Sequence, residues 1–190
     1  MTMRLLLAAC AIALVPVLNG CVAAAVGGAA AGGYLVGEDR RSSAVMTDDE
    51  GIELRAQNRV AEKFPNAHIN TTSYNKLVLL SGEVPNDAAK AEADRIVRGI
   101  NGVRGTYNEL TVGPPTALSA RANDSYITSK VKTRFLDGRR FNPVHVKVVT
   151  ESGTVYLMGL VKRQEADDAT ELARTTSGVQ RVVRLFEIQP

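Results

Sequence analysis

The sequence predicts an α+β fold built from two tandem modules of one design. Each module has the element order αββαβ, with a three-stranded mixed sheet packed on two helices that cover one of its faces. Three observations carry this. The pattern V-x-L-x-G-x-V occurs twice, at Val78, Leu80, Gly82 and Val84 and at Val155, Leu157, Gly159 and Val161, 77 residues apart. A Gly-Val pair follows each copy, at Gly102-Val103 and Gly178-Val179, and the two histidines, His68 and His145, are also 77 apart. Ahead of each copy runs an apolar series with helical spacing, Val60 with Phe64 and Val131 with Phe135. Self-similarity at a fixed period marks one supersecondary unit present in copies. On this alignment the second copy is about six residues longer between its first helix and first strand, around residues 137–142.

The 190 residues divide accordingly into an export signal (1–20), a tether (21–46), a first module (47–113), a linker (114–120) and a second module (121–190). A module of this size buries only about 60% of the surface of its chain. Tryptophan is absent, so the cores fall to Val, Leu, Ile and Ala. No cofactor-sized cavity, and no cofactor, is expected in cores so small.

The N-terminus reads as an address. Arg4 precedes an apolar stretch over residues 5–18, too short for a membrane-spanning helix of about 20 residues and suited to a secretory signal. It ends in Leu18-Asn19-Gly20-Cys21, which resembles a bacterial lipobox. The resemblance implies that Cys21 carries a diacylglycerol thioether and an N-acyl chain, a palmitate-type anchor. Multiple acyl chains hold a protein on a bilayer without any spanning helix. Val22 rather than Asp follows the cysteine, and by resemblance to the known sorting pattern this implies the outer membrane, on the periplasmic side. Cys10 lies inside the signal and no cysteine follows Cys21, so redox chemistry and thiolate metal sites are excluded from the folded part. Residues 22–37, rich in Ala and Gly, are expected to form a flexible tether, and Glu38-Asp39-Arg40-Arg41 a solvated mixed-charge segment.

In the first module, Asp48-Asp49-Glu50 suit a helix N-terminus, and Ile52, Ala56, Val60 and Phe64 give one apolar face. Pro65-Asn66 stops that helix. A strand starts near Ile69, Tyr74-Asn75-Lys76 turn the chain, and residues 77–84 return. Pro85-Asn86-Asp87 opens a helix that closes at Gly102, and residues 103–112 form the last strand. Gly113-Pro114-Pro115-Thr116 is expected to be a hinge. The second module repeats the order: Asp124 caps a helix with Ile127, Val131 and Phe135 inward, Val144, Val146 and Val148 alternate, and Glu151-Ser152-Gly153 turn into residues 155–161. A helix over 164–176 and a strand over 179–188 complete it. Gly82 and Gly159 are read as points of close approach by another backbone rather than as ligand-binding glycines.

The doubled V-x-L-x-G-x-V, each copy followed by a helix and a Gly-Val strand start, is similar to the BON domain. Two such modules behind a lipobox resemble the dual-BON outer-membrane lipoproteins of the DolP type. The segment from Asn123 to Val131 looks especially close to the second module of that type. The resemblance implies binding of anionic phospholipid, phosphatidylglycerol or cardiolipin, through the first helix of the second module. It also implies support of envelope integrity and enrichment at division sites. Tyr126 stands where a tryptophan is familiar, a weaker but still amphipathic ring for an interface.

Charge singles out the same module. Residues 47–113 hold 8 basic and 10 acidic side chains, net −2, whereas residues 121–190 hold 12 and 8, net +4. Anionic surfaces attract each nearby Lys or Arg by about 1 kcal/mol. With Ile127, Val131 and Phe135 inward, Tyr126, Lys130 and Thr133 share an outward flank edged by Arg134, and Ser129, Lys132 and Leu136 point away from the core. Arg139 and Arg140 follow in the loop. By themselves these features equally describe a solvated helix with an incidental Tyr and a basic loop; it is the resemblance that makes Tyr126, Ser129, Lys130, Thr133, Arg134, Leu136, Arg139 and Arg140 the candidate phospholipid contacts.

Other classes fare less well. The histidines read as ordinary surface or edge residues of two related modules, and no nucleophile–base set, phosphate loop or closely spaced metal-ligand cluster stands out. No catalytic and no metal-binding residue is expected. The basic balance permits nucleic acid, but export argues against it. The rival reading is a protein-interaction scaffold for envelope assembly or peptidoglycan-remodelling proteins, with lipid secondary.

Overall fold

The computed structural model describes residues 39–190. The export signal, Cys21 and the tether over 22–37 lie outside the described residues. Among the described residues, no helix is long and apolar enough to cross a membrane.

Module one begins earlier than its acidic run suggests. Ser42 caps helix α1 (Ser43–Lys63), its hydroxyl accepting from the Val45 N–H at 3.3 Å. The helix therefore takes in the end of the expected tether, and Asp49 sits inside it as a buried residue. Strands β1 (His68–Tyr74) and β2 (Leu77–Val84) pair antiparallel through a two-residue turn. Asn75 and Lys76 have φ of 50° and 65°, the left-handed pair that a tight hairpin of this kind requires. Helix α2 (Asp87–Arg98), capped by the Asn86 side chain, crosses to β3 (Gly105–Asn108) and β4 (Thr111–Val112). Both run parallel to β2, as two segments of the single last strand expected, and between them Leu110 turns into the core.

Module two repeats this with α3 (Leu118–Gly138), a short 3-10 turn at Pro143–His145, β5 (Val146–Glu151), β6 (Thr154–Val161), α4 (Arg163–Arg174) and β7 (Arg181–Ile188). Again β6 is central, antiparallel to β5 and parallel to β7. Asp124 does not cap α3, which starts at Leu118, inside the expected linker.

The buried set of α1 is Asp49, Ile52, Ala56 and Val60, and that of α3 is Asp124, Ile127, Val131 and Phe135. These superimpose at a spacing of 75 residues, not the 71 implied by matching Val60 and Phe64 to Val131 and Phe135. The insertion in module two is thus two residues rather than six. An apolar series that recurs every four residues matches itself after a shift of one turn, so it cannot fix the register. The aspartate does. The Asp49 carboxylate accepts the N–H groups of Asn75 (2.8 Å) and Lys76 (2.7 Å) and the Ser73 hydroxyl (2.7 Å), and that of Asp124 accepts the N–H groups of Ser152 and Gly153 (both 2.9 Å). In each module a helix aspartate ties down the hairpin turn.

The repeated motif divides between two faces. Val78, Leu80 and Val84 pack under α1 and α2, and Val155, Leu157 and Val161 under α3 and α4. The intervening Leu79, Tyr156 and Met158 form a third core with Tyr74 and Leu185. The helix-free faces of the two sheets therefore pack on each other, giving layers in the order helix, sheet, sheet, helix. Polar bonds frame this contact: Lys147 to Glu53 (2.9 Å), Arg104 and Asn75 to Glu187 (2.8 and 2.7 Å), and the Tyr74 hydroxyl to the His145 carbonyl (3.2 Å).

The expected hinge is held. Glu83 accepts both the N–H (2.9 Å) and the hydroxyl (2.7 Å) of Thr116. The expected solvated segment at the N-terminus is held as well. Arg40 makes a two-pronged pair with Glu165 (2.6 and 2.8 Å) and donates to the Leu160 carbonyl, while Arg41 pairs with Asp49 (2.9 Å) and lies 3.9 Å over the Tyr74 ring.

Candidate membrane-contact surface

Helix α3 buries Asp124, Ile127, Val131 and Phe135 every three or four residues, which turns the opposite face to solvent. Along that face lie Leu118, Ala122, Ser125, Tyr126, Ser129, Thr133 and Leu136, all exposed. Leu118 is 80% exposed, Tyr126 62% and Leu136 63%, an unusual outlay of large apolar surface on one helix. Leu118 to Leu136 spans about 27 Å at 1.5 Å per residue. The three hydroxyls between them bond back along the helix: Ser125 to the Arg121 carbonyl (3.1 Å), Ser129 to that of Ser125 (3.0 Å) and Thr133 to that of Ser129 (3.0 Å). Their protons are already donated, which lowers the cost of taking this strip out of water.

Cations edge the strip. By helical spacing Arg121 and Lys132 lie along one side, Lys130 and Arg134 along the other. Lys130 is half-buried; its ammonium bonds the Ser177 carbonyl and sits 4.7 Å from the centre of the Tyr126 ring. Arg134 donates to the Thr176 hydroxyl at 3.4 Å. Both therefore lean toward the C-terminal end of α4, where exposed carbonyl dipoles favour positive charge. Arg139 is exposed in the left-handed conformation that ends α3, and Arg140 pairs with Asp168 at 3.3 Å. The structure thus gathers Tyr126, Ser129, Lys130, Thr133, Arg134 and Leu136 on one surface of α3, with Arg139 and Arg140 at its C-terminal end. It adds Leu118, which the sequence reading places before the helix, and Asp137, an exposed acid one turn beyond Thr133.

A second group of ionisable side chains meets where the modules join. The His68 Nδ1 lies 3.1 Å from Glu83 Oε2 and 3.6 Å from Glu151 Oε1. Asn70 Nδ2 is 2.8 Å from Glu151 Oε2 and 3.1 Å from His68 Nε2. Burial pushes the Glu83 carboxyl up, but the two hydrogen bonds from Thr116 and the contact with His68 outweigh it and hold the group below the ordinary carboxylate range. Glu151 is raised, by burial first and further by Glu83 and Asp124, against the bonds from Asn70 and the nearness of His68. Of the surface or edge positions expected, His68 keeps an edge, at the start of β1, but lies in this junction, and His145 is buried. The sequence offers no sign of the cluster because Glu151 comes from the other module.

A family model described as "BON domain" matches residues 48–114 and 123–190. The chain is 39% identical over 174 residues to the Outer membrane lipoprotein DolP of Haemophilus influenzae, covering 90% of this chain and 89% of that protein. It is 35% identical over 151 residues to the 21 kDa hemolysin of Actinobacillus pleuropneumoniae, with 78% of each covered. To the Osmotically-inducible protein Y of Escherichia coli it is 30% identical over 140 residues, covering 71% and 70%.

Proposed function

Since the chain belongs to the BON-domain family and is an outer-membrane lipoprotein facing the periplasm, we propose that its second module binds anionic phospholipid through α3. Lipid on Cys21 anchors the chain, and the α3 strip presses into headgroups such as those of phosphatidylglycerol or cardiolipin. The observation that carries this reading is one helix face bearing Leu118, Tyr126 and Leu136 in the open, between two rows of cations. An apolar strip of that kind enters the headgroup boundary while long basic side chains reach the phosphates. Lys130, Arg134, Arg139 and Arg140 contribute about 1 kcal/mol each near an anionic surface, less where they are shared with Ser177, Thr176 or Asp168. In the cell this binding supports envelope integrity, including at the division site.

The test uses residues 39–190, because a fragment starting at Thr47 would lose the Ser42 cap and the Arg40 and Arg41 contacts. Vesicles of phosphatidylcholine with phosphatidylglycerol or cardiolipin should capture the fragment, neutral vesicles should not, and added salt should release it. Reversing Lys130 in a Tyr126→Ala/Lys130→Glu variant changes two units of charge, about 2 kcal/mol or 30-fold in affinity before the loss of the ring. Equal capture of wild type and variant rejects the α3 assignment. No capture by anionic vesicles, with envelope proteins still co-purifying, favours the scaffold reading.

A further inference from the structure

Away from the α3 strip, one cluster joins ionisable groups of both modules: His68 at the start of β1, Glu83 near the end of β2 and Glu151 at the end of β5. We propose that this cluster binds a divalent first-row metal ion, with His68 Nδ1 and one oxygen from each glutamate as ligands, so that the ion ties module one to module two.

Spacing is the first argument. Zinc holds nitrogen and oxygen ligands at about 2.0–2.1 Å in a tetrahedron, whose edges are then about 3.3–3.4 Å. The two measured edges from Nδ1, 3.1 and 3.6 Å, bracket that value, and all three ligand atoms lie within 4.8 Å of one another. A fourth oxygen is at hand: the Thr116 hydroxyl is 3.3 Å from Nδ1. Little has to move, and the three ligands stand on strands. His68 and Glu83 are partners across the β1–β2 ladder.

Charge is the second. Two carboxylates, 5% and 7% exposed, face one imidazole. Their other hydrogen-bond partners are neutral: the side chains of Asn70, Ser81, Thr116 and Ser152 and the Thr116 N–H. The charged groups beyond these offset each other: Arg121 bonds the Thr116 carbonyl, and Asp124 holds the Ser152 turn. A neutral His68 leaves two negative charges where burial penalises them, and a dication cancels both. Access is the third. A cleft of about 390 Å³, lined by His68, Asn70, Arg121, Asp124 and Glu151 among others, opens onto the cluster. With nitrogen and carboxylate donors, the site suits zinc-like ions.

One adjustment follows. A metal on Nδ1 puts the ring proton on Nε2, so the Asn70 amide must turn its oxygen toward that nitrogen and release Glu151, which keeps the Ser81 hydroxyl. Outer-shell acceptors of this kind fix the ring of a metal-bound histidine.

The mature protein, purified in non-ionic detergent and stripped with a chelator, is titrated with Zn²⁺ by calorimetry and with Co²⁺ by visible absorption. One ion per chain, a ligand-field band of low-coordinate Co²⁺ and a Zn²⁺-dependent rise in melting temperature are expected. His68→Gln and Glu151→Gln should each weaken binding at least about tenfold, while His145→Gln leaves it unchanged. Absence of binding by the wild-type protein at up to about millimolar Zn²⁺ or Co²⁺ overturns the proposal without any variant, since a Kd above that range is weaker than about −4 kcal/mol. Undiminished binding by both folded variants overturns it too, by placing the ion elsewhere.

Discussion

Replacing Gly82 by alanine tests the packing of the repeated motif, and with it the placement of His68. A Cβ added at Gly82 would stand 2.0 Å from the His68 carbonyl oxygen and 3.0 Å from its carbon, where real side chains keep at least about 3 Å. Its φ of 111° is also one that alanine resists. At Gly159 the same atom would meet the His145 carbonyl oxygen at 2.4 Å, without the positive φ. Overpacking of this sort costs about 1–3 kcal/mol, and a residue forced into a sparsely allowed backbone region about 1–3 more. Gly82→Ala should therefore lose about 4 kcal/mol and Gly159→Ala about 2. For a folded unit of roughly 150 residues each kcal/mol lowers Tm by about 2–4 °C, giving falls of about 8–16 °C and 4–8 °C. Calorimetry on residues 39–190 reads both, in one cooperative transition, because the modules share the core of Tyr74, Leu79, Tyr156, Met158 and Leu185. A fall of less than about 2 °C for Gly82→Ala, or a larger fall for Gly159→Ala, would refute the close-approach reading.

Two further outcomes follow from the described contacts. Asp49→Ala strands three turn donors and Asp124→Ala two, so urea midpoints should register about 4 and about 2 kcal/mol, with Asp49 the costlier. The Glu165 carboxyl is held below its usual 4.5 chiefly by the hydrogen bond from Arg40, helped by the Lys162 N–H and against its burial. A lowered folded-state pKa gives stability that is present above about 4.5 and lost as pH falls through the folded value. Arg40→Gln should accordingly melt below wild type at neutral pH, by an amount on the order of 1 kcal/mol, and converge with it as pH falls through the folded-state value of Glu165. A gap that persists unchanged in acid would show that the Arg40 contribution is not this ion pair.

Much of the chain was legible because local rules wrote it. The αββαβ order, the left-handed turn positions at Asn75-Lys76 and Ser152-Gly153 and the close approach at Gly82 and Gly159 follow from periodicity and turn chemistry. So does most of the α3 strip, since a helix with Ile127, Val131 and Phe135 inward must turn Tyr126 and Thr133 outward. A four-residue apolar repeat matches itself after one turn, so it misjudges the size of the insertion. The helix starts lie earlier than expected, at Ser43 and Leu118, in segments whose composition reads as tether and linker. Asp49 and Asp124 looked like cap residues, although their partners are hairpin N–H groups about 26–29 residues onward.

By itself, then, the sequence determined two modules, their internal topology, the charge contrast between them and the exposed face of α3. Each depends on residues near one another in the chain, or on a sum over composition. Tertiary structure alone decided that the two sheets meet face to face, that the linker and the Arg40-Arg41 segment are pinned, and that His68, Glu83 and Glu151 share one junction. Alternation along a strand tells which side chains share a face, but not which surface covers it. Leu79, Tyr156 and Met158 were visible as apolar side chains; only the packed sheets show that what they contact is the other module.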